Sequence, residues 1–209
     1  MNLSLNEVEA TAKRAARGAG YSWGLAEEAG KASRWLCTNG LDGVSALTRL
    51  LELGLAPSAS EHAPTRQQER WSCEGILCPL VTGALLSDSA SRLLDGQIDT
   101  SPIAIPEILL PFAANASLVV STCVSVDIDG EIAITDGKQL LSVESYPDVA
   151  ARVAIQLGGD LNRPTCSQTR ATPDRAIWKR LNQFAQRTYA PATEESRQLG
   201  AGAGLTDND

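Results

Sequence analysis

Leu118-Val-Val-Ser-Thr-Cys-Val-Ser-Val-Asp-Ile-Asp-Gly-Glu-Ile-Ala-Ile-Thr-Asp-Gly-Lys-Gln-Leu-Leu-Ser-Val143 carries the clearest β signal in the chain. Residues 118–126 alternate well enough to predict a strand. Asp129-Gly130 is a tight-turn pair, since a two-residue hairpin turn needs positive φ and Asp and Gly tolerate it. Residues 131–135 then return, and Asp136-Gly137 turns again into 139–143. The spacing predicts three consecutive strands of an antiparallel meander. Residues 152–157, Arg-Val-Ala-Ile-Gln-Leu, alternate as a further strand, although 148–157 also fits a helix.

Upstream the period changes to that of helices. Ser4 and Glu7 form a capping box, in which side chains satisfy free N–H groups at a helix start. The first helix is predicted over 5–17, with Val8, Ala12, Ala15 and Ala16 on a thin apolar face and Gly18 and Gly20 as stops. Ser22 caps a second helix that runs to Thr38. Leu25, Ala29, Ala32 and Leu36 make one stripe of it; Ala26, Gly30, Ser33 and Cys37 make an adjacent stripe of small residues, which predicts a close helix crossing at Gly30. Asp42 caps a third helix with Val44, Leu47, Leu50 and Leu51 inward and Gly54 at its end. Residues 56–70 lose apolar content and read as a surface loop or linker.

Two apolar runs, 76–86 and 103–110, are broken by prolines and fit edge strands or short helical pieces. Thr172 is the predicted cap of a last helix, with Pro173 at its first position and Ile177, Leu181, Phe184 and Ala185 at helical spacing. The expected fold class is α+β: a three-helix N-terminal segment (1–55) packed on a mostly antiparallel sheet in a body of 71–209, with a C-terminal helix, in one compact unit.

With 209 residues the chain can bury a real core without staples. Its net charge of −7 disfavours nucleic acid and anionic membrane surfaces as partners, because both reward a basic face. No apolar run approaches the roughly 20 residues of a membrane helix. The first residues have neither a basic region nor an apolar stretch, so a secretion signal is not expected. The five cysteines are an odd number, which suits reduced thiols in a bacterial cytoplasm.

Histidine is nearly absent. His62, in the polar loop, is the only one, so a Ser-His-Asp triad or a histidine metal site would have to use it. Cys73 and Cys78 lack the spacing and the second pair of a zinc site, and no metal is expected. Asp127-Ile-Asp129-Gly130-Glu131 looks faintly like part of a calcium loop but lacks its span, and the hairpin explains it.

The densest functional mixture is the segment 17–35, Arg-Gly-Ala-Gly-Tyr-Ser-Trp-Gly-Leu-Ala-Glu-Glu-Ala-Gly-Lys-Ala-Ser-Arg-Trp. It holds three of nine aromatics, four glycines and five charges. Gly18 and Gly20 expose backbone N–H groups near a helix start, a favourable place for an anion. Arg17 and Lys31 could then grip a carboxylate or phosphate, with Tyr21 and Trp23 as binding surface and Glu27, Glu28 or Asp207 for acid–base work. The plainer reading is an ion pair on one helix face among Glu27, Lys31 and Arg34. The glycine spacing is close to a dinucleotide fingerprint, but it follows a helix where a strand is required, so a Rossmann site is rejected. The C-terminal Gly200-Ala-Gly-Ala-Gly-Leu-Thr-Asp-Asn-Asp209 offers Thr206, Asp207 and Asp209 as hydrogen-bonding partners for a docked ligand.

Ser4-Leu-Asn-Glu-Val-Glu-Ala, Arg17-Gly-Ala-Gly-Tyr, Trp23-Gly-Leu-Ala-Glu-Glu-Ala-Gly-Lys and the glycine-rich end together resemble a bacterial family of uncharacterised proteins, the domain of unknown function catalogued as 3726. The resemblance extends over essentially the whole chain and implies no activity, cofactor or catalytic residue. The three N-terminal helices are also similar to the start of the malate and L-lactate dehydrogenase family that lacks a Rossmann fold. That family has Ser-His-Gly where this chain reads Asp42-Gly-Val-Ser45-Ala, so the likeness is one of helix packing.

Two functions fit these residues. One is a small-molecule metabolic enzyme, or its inactive relative, acting on an anionic metabolite between the 17–35 segment and the tail. The other is an accessory subunit that binds a partner enzyme through exposed aromatics; a homo-oligomer is compatible with either. A buried, perturbed carboxylate in a pocket would favour the first, and a flat apolar patch around Trp23 or Trp71 the second.

Overall fold

Small residues decide how the helices assemble. In the computed structural model, which describes residues 1–65 and 70–189, helix α1 (Leu5–Ala19) follows a two-residue strand β1 (Leu3–Ser4). Ser4 Oγ accepts the Glu7 N–H at 3.1 Å, as the capping box requires. Gly20, at φ 113°, ends the helix in a left-handed cap. Helix α2 (Trp23–Thr38) starts from Ser22, and α3 (Gly43–Glu52) from Asp42, whose Oδ1 accepts the Ser45 N–H at 3.0 Å. Val8, Ala12, Ala15 and Ala16 are all fully buried. A face this thin lets neighbouring backbones come close. A methyl group on Gly30 would stand 2.9 Å from the Glu9 carbonyl oxygen and 3.2 Å from Lys13 Cβ, so the tight crossing is that of α2 on α1. On its other side α1 meets the last helix, and a methyl group on Gly18 would collide with the Phe184 carbonyl.

The middle of the chain is more helical than its prolines suggest. Pro79 opens α4 (Pro79–Asp88), and Gly83 within it leaves room for the Phe112 ring of α5 (Leu110–Val120). The first five residues of α5, Leu110 to Ala114, are all buried, as expected of a helix start without a polar face. Residues 118–120 therefore close α5 and do not start the strand. The apolar run from 103 onward continues into them at helical pitch, and the alternation from 118 resolves only after Ser121 ends the helix at φ 54°.

Strand β4 (Val124–Ile128), β5 (Glu131–Thr135) and β6 (Leu140–Leu141) form the predicted meander. Strand β8 (Val153–Leu157) pairs with the other side of β4, which settles residues 152–157 as a strand. Strand β2 (Ile98–Asp99) closes the far edge, in the order β2-β8-β4-β5-β6, and every pairing is antiparallel. Asp129 (φ 50°) and Gly130 (φ 99°) make the hairpin turn. Asp129 also accepts the N–H groups of Ala151 and Arg152 at 2.8 and 2.9 Å, and Asp127 accepts that of Gly130 at 2.7 Å. Both carboxylates are thus engaged by backbone.

Two small ladders complete the α+β fold. β1 pairs with β9 (Arg170–Ala171), tying the N-terminus to the approach of the last helix. That helix, α6 (Arg175–Gln186), is capped by Asp174, whose Oδ1 accepts from Ala176 N at 2.7 Å. Thr172 is not the cap, and Pro173 precedes the helix. The second ladder, β3 (Ile103–Ala104) with β7 (Val149–Ala150), holds residues 146–148 beside a 3-10 turn at Pro106–Leu109. The loop expected over 56–70 contains a 3-10 turn at Ala56–Ser58.

Glycine substitutions test this packing. Gly18→Ala and Gly30→Leu should each lower stability by about 1–3 kcal/mol. Gly24→Ala, in the first turn of α2 with nothing near the added methyl, should be neutral or raise it by about 0.5–1 kcal/mol. Equal melting temperatures for Gly18→Ala and Gly24→Ala would refute the close approach of α1 to α6.

The α5 terminus offers a gain. Ser121 is exposed and left-handed, a conformation that costs a non-glycine residue about 1 kcal/mol or more. Ser121→Gly should raise the melting temperature by about 2–4 °C; a fall would show that the hydroxyl or the unfolded chain outweighs the backbone strain.

Candidate functional site

Glu107 is the only charged residue between Asp99 and Asp127. The structure buries it. Ile105 takes a left-handed conformation (φ 41°, ψ 63°), rare for a β-branched residue, and its N–H donates to the Asp148 carbonyl at 2.8 Å. Pro106 then starts the 3-10 turn, and the chain direction set by Ile105 carries the Glu107 carboxylate inward. Strained backbone of this kind costs of order 1–3 kcal/mol and gathers at functional sites.

Arg49, in the last turn of α3, meets this carboxylate. Its Nη2 donates to Glu107 Oε1, and its Nη1 to Asp148 Oδ1. The Glu107 side chain is 8% exposed, and its second oxygen, Oε2, has no hydrogen-bond partner among the described residues. A buried polar atom left in that state costs about 1–3 kcal/mol. Burial pushes the Glu107 carboxyl above the usual range; Arg49 opposes this, and Asp148 adds to it. Asp148 itself is largely exposed and completes the fork on Arg49 from solvent.

A cavity of about 250 Å³ opens on this pair. Asp42, Ser45, Arg49, Glu107, Glu144 and Tyr146 line its polar side, and Leu36 and Leu41 its apolar side. The Tyr146 hydroxyl shares a hydrogen bond with Ser142 Oγ at 2.8 Å, and burial pushes the phenol up. A buried carboxyl group of raised pKa beside a hydroxyl and a fixed guanidinium has the make-up of an acid–base group. A second cavity of similar volume lies on the other side of Leu41 and Asp42, lined by Cys37, Gln168, Arg170 and Thr172. Burial holds the Cys37 thiol at about 11, so it is not a nucleophile at neutral pH.

Residues 17–35 do not converge on either cavity. Arg17 Nη1 donates to the Tyr21 carbonyl at 2.6 Å, and its guanidinium lies 4.8 Å from the Trp23 ring centre. Gly18 serves the α1–α6 contact. The Gly20 N–H is spent on the end of α1. Tyr21 is buried with its hydroxyl 3.3 Å from Cys78 Sγ. Trp23 is 67% exposed. Glu27 pairs with Lys13 at 2.5 Å, Glu28 with Lys31 at 2.8 Å, and Arg34 with Glu9 at 2.8 Å. These charges are spent in surface ion pairs, but not in the one expected among Glu27, Lys31 and Arg34: Glu27 and Arg34 reach across to Lys13 and Glu9 of α1, and Lys31 takes Glu28. Thr206, Asp207 and Asp209 lie outside the described residues. His62 faces the Ile76 carbonyl, Nδ1 to oxygen 2.9 Å. Among the described residues no cluster of His, Cys, Asp or Glu is arranged to hold a metal ion, and all five cysteines are free.

The sequence reading missed Arg49, Glu107, Tyr146 and Asp148. Only Glu107 had a signal: one carboxylate inside a long uncharged run, directly after proline. With the geometry in view, comparison with other proteins adds one result. Residues 3–91 match the family described as Protein of unknown function (DUF3726). The expected resemblance is therefore shown over 3–91, a span that holds Asp42, Ser45 and Arg49 and ends before Glu107. No curated protein and no solved structure matches the chain. No helix among the described residues is long and apolar enough to cross a membrane.

The buried carboxylate has a pH signature. A carboxyl raised on folding binds its proton more tightly in the native state, so stability falls as pH rises from the unfolded value near 4.3 through the folded one. Relative to Glu107→Gln, the wild type should therefore gain stability on acidification from neutral pH until about pH 4, and level off below. Carboxyl-carbon NMR should find the midpoint above the ordinary glutamate value. A midpoint below it would mean that Arg49 outweighs burial.

Proposed function

We propose that this protein binds a small polar metabolite in the Arg49–Glu107–Tyr146 cavity, with Glu107 as its acid–base group. One observation carries the reading: Glu107 is buried on the cavity wall with one oxygen fixed by Arg49 and the other without a partner. A chain that merely needed stability would gain little from such a group, since buried ion pairs are often no better than apolar packing. The cavity is smaller than the range for drug-sized ligands, which points to a compact metabolite. The anionic ligand expected at 17–35 has less support, because Arg17 and Lys31 are each engaged within the protein. A bacterial cytoplasmic setting belongs to the same reading and rests on the free thiols.

A second reading is an accessory subunit docking through Trp23. An exposed tryptophan stacked by Arg17 is a typical interface anchor. Trp71 gives it no support, being 2% exposed.

Melting-temperature screening against pooled metabolites separates these readings. A pool that raises the wild-type melting temperature should lose its effect in Glu107→Gln and Tyr146→Phe and keep it in Arg17→Ala. Loss in Arg17→Ala, or on deletion of residues 190–209, with retention in Glu107→Gln would return the site to the glycine-rich segment. Loss of a partner protein in Trp23→Ala, without any metabolite response, would favour the subunit.

A further inference from the structure

The Glu107 cavity has a charge pattern that selects among small molecules. Three carboxylates line it, those of Asp42, Glu107 and Glu144, against the single guanidinium of Arg49. That guanidinium is already held by Glu107 on one side and Asp148 on the other. Nothing positive on the wall remains to receive an anion, and an entering anion would meet Asp42 and Glu144. The buried Glu107 Oε2 lacks a donor, and the Tyr146 and Ser45 hydroxyls offer polar contacts nearby. Leu36 and Leu41 supply an apolar wall for a short carbon chain.

We propose, resting on the reading of this cavity as the ligand site, that its ligand is a small protonated amine bearing a hydroxyl group. A small turn of the carboxylate brings Oε2, closed to solvent in this structure, to the cavity, where the ammonium donates to it in the field of Asp42 and Glu144. The hydroxyl reaches Tyr146 or Ser45. An ammonium supplies both what the buried oxygen lacks, a donor, and what the wall lacks, a positive charge. A neutral alcohol supplies only the first, and a carboxylate neither.

The probes are ethanolamine and 3-amino-1-propanol, with ethylene glycol as the neutral and glycolate as the anionic counterpart. Calorimetric titration of the full chain should show binding of the two amino alcohols and none of glycolate. Glu107→Gln should weaken the amino alcohols about tenfold or more, the loss of a charge-assisted hydrogen bond. Glu144→Gln, at an exposed position, should weaken them less and keeps the test valid if the Glu107 variant fails to fold. Preference for glycolate overturns the proposal. Equal binding of ethylene glycol and ethanolamine, both lost in Glu107→Gln, overturns the amine assignment and leaves the site standing. No binding by any probe, with the Glu107 carboxyl-carbon signal unmoved throughout, overturns both.

Discussion

Arg49 ties together three segments that are distant in sequence. Its own helix α3 belongs to the N-terminal group, Glu107 sits on the turn before α5, and Asp148 leads into β7. The constraint is electrostatic. A carboxylate taken out of water must keep a cation beside it, because breaking one member of a buried pair costs about 3–5 kcal/mol. The turn around Ile105 therefore has to bring Glu107 to α3, and the β3–β7 ladder has to hold Asp148 against the other side of the guanidinium. The left-handed Ile105 is explained by this geometry: its N–H bonds to the Asp148 carbonyl, while the following proline and glutamate turn toward Arg49.

Close backbone packing gives that constraint a rigid setting. Alanines and glycines dominate the faces by which α1 touches α2 and α6, and a methyl group at Gly43 would collide with the Ser33 carbonyl of α2. The start of α3 is thereby seated on α2, fixing the end that carries Asp42 and Ser45. Such interiors move little, since every added methylene is felt. The cavity is bounded by Leu36 of α2 and by α3 on one side and by the irregular 144–146 stretch on the other.

The helical half of the fold was legible because its signals are local. Ser4, Ser22, Asp42, Gly20 and the small-residue stripe each act within a turn or two, and the hairpin at Asp129-Gly130 needs only its own two residues. The failures have a shared cause. Whether 118–120 continues a helix or opens a strand depends on what lies around α5, and an apolar run reads the same in both cases. Asp174 displaced Thr172 as a cap because the β1–β9 ladder up to Ala171, with the Met1 amino group donating to the Pro173 carbonyl, ties the chain to the N-terminus before the helix begins. The Arg49–Glu107 pair was not legible for a related reason. Arg49 and Tyr146 are unremarkable one at a time, Glu107 stands out only as a lone carboxylate in an uncharged run, and the three form a group only through long-range pairing, whereas the 17–35 segment concentrates its charges locally and uses them within its own helix and on α1.

The span of the family match bears on what residues 3–91 can do alone. They contain Arg49, Asp42 and Ser45, but neither carboxylate that binds Arg49. They contain α1, but not α6 or β9, the elements that cover one of its faces. Two of the three carboxylates on the cavity wall come from the later half of the chain. There Glu107 and Asp148 occupy the guanidinium, and Glu144 adds negative charge to the wall. In this architecture the matched helices supply Leu36, Leu41, Asp42, Ser45 and Arg49 to the cavity wall, and residues 107–146 supply the rest.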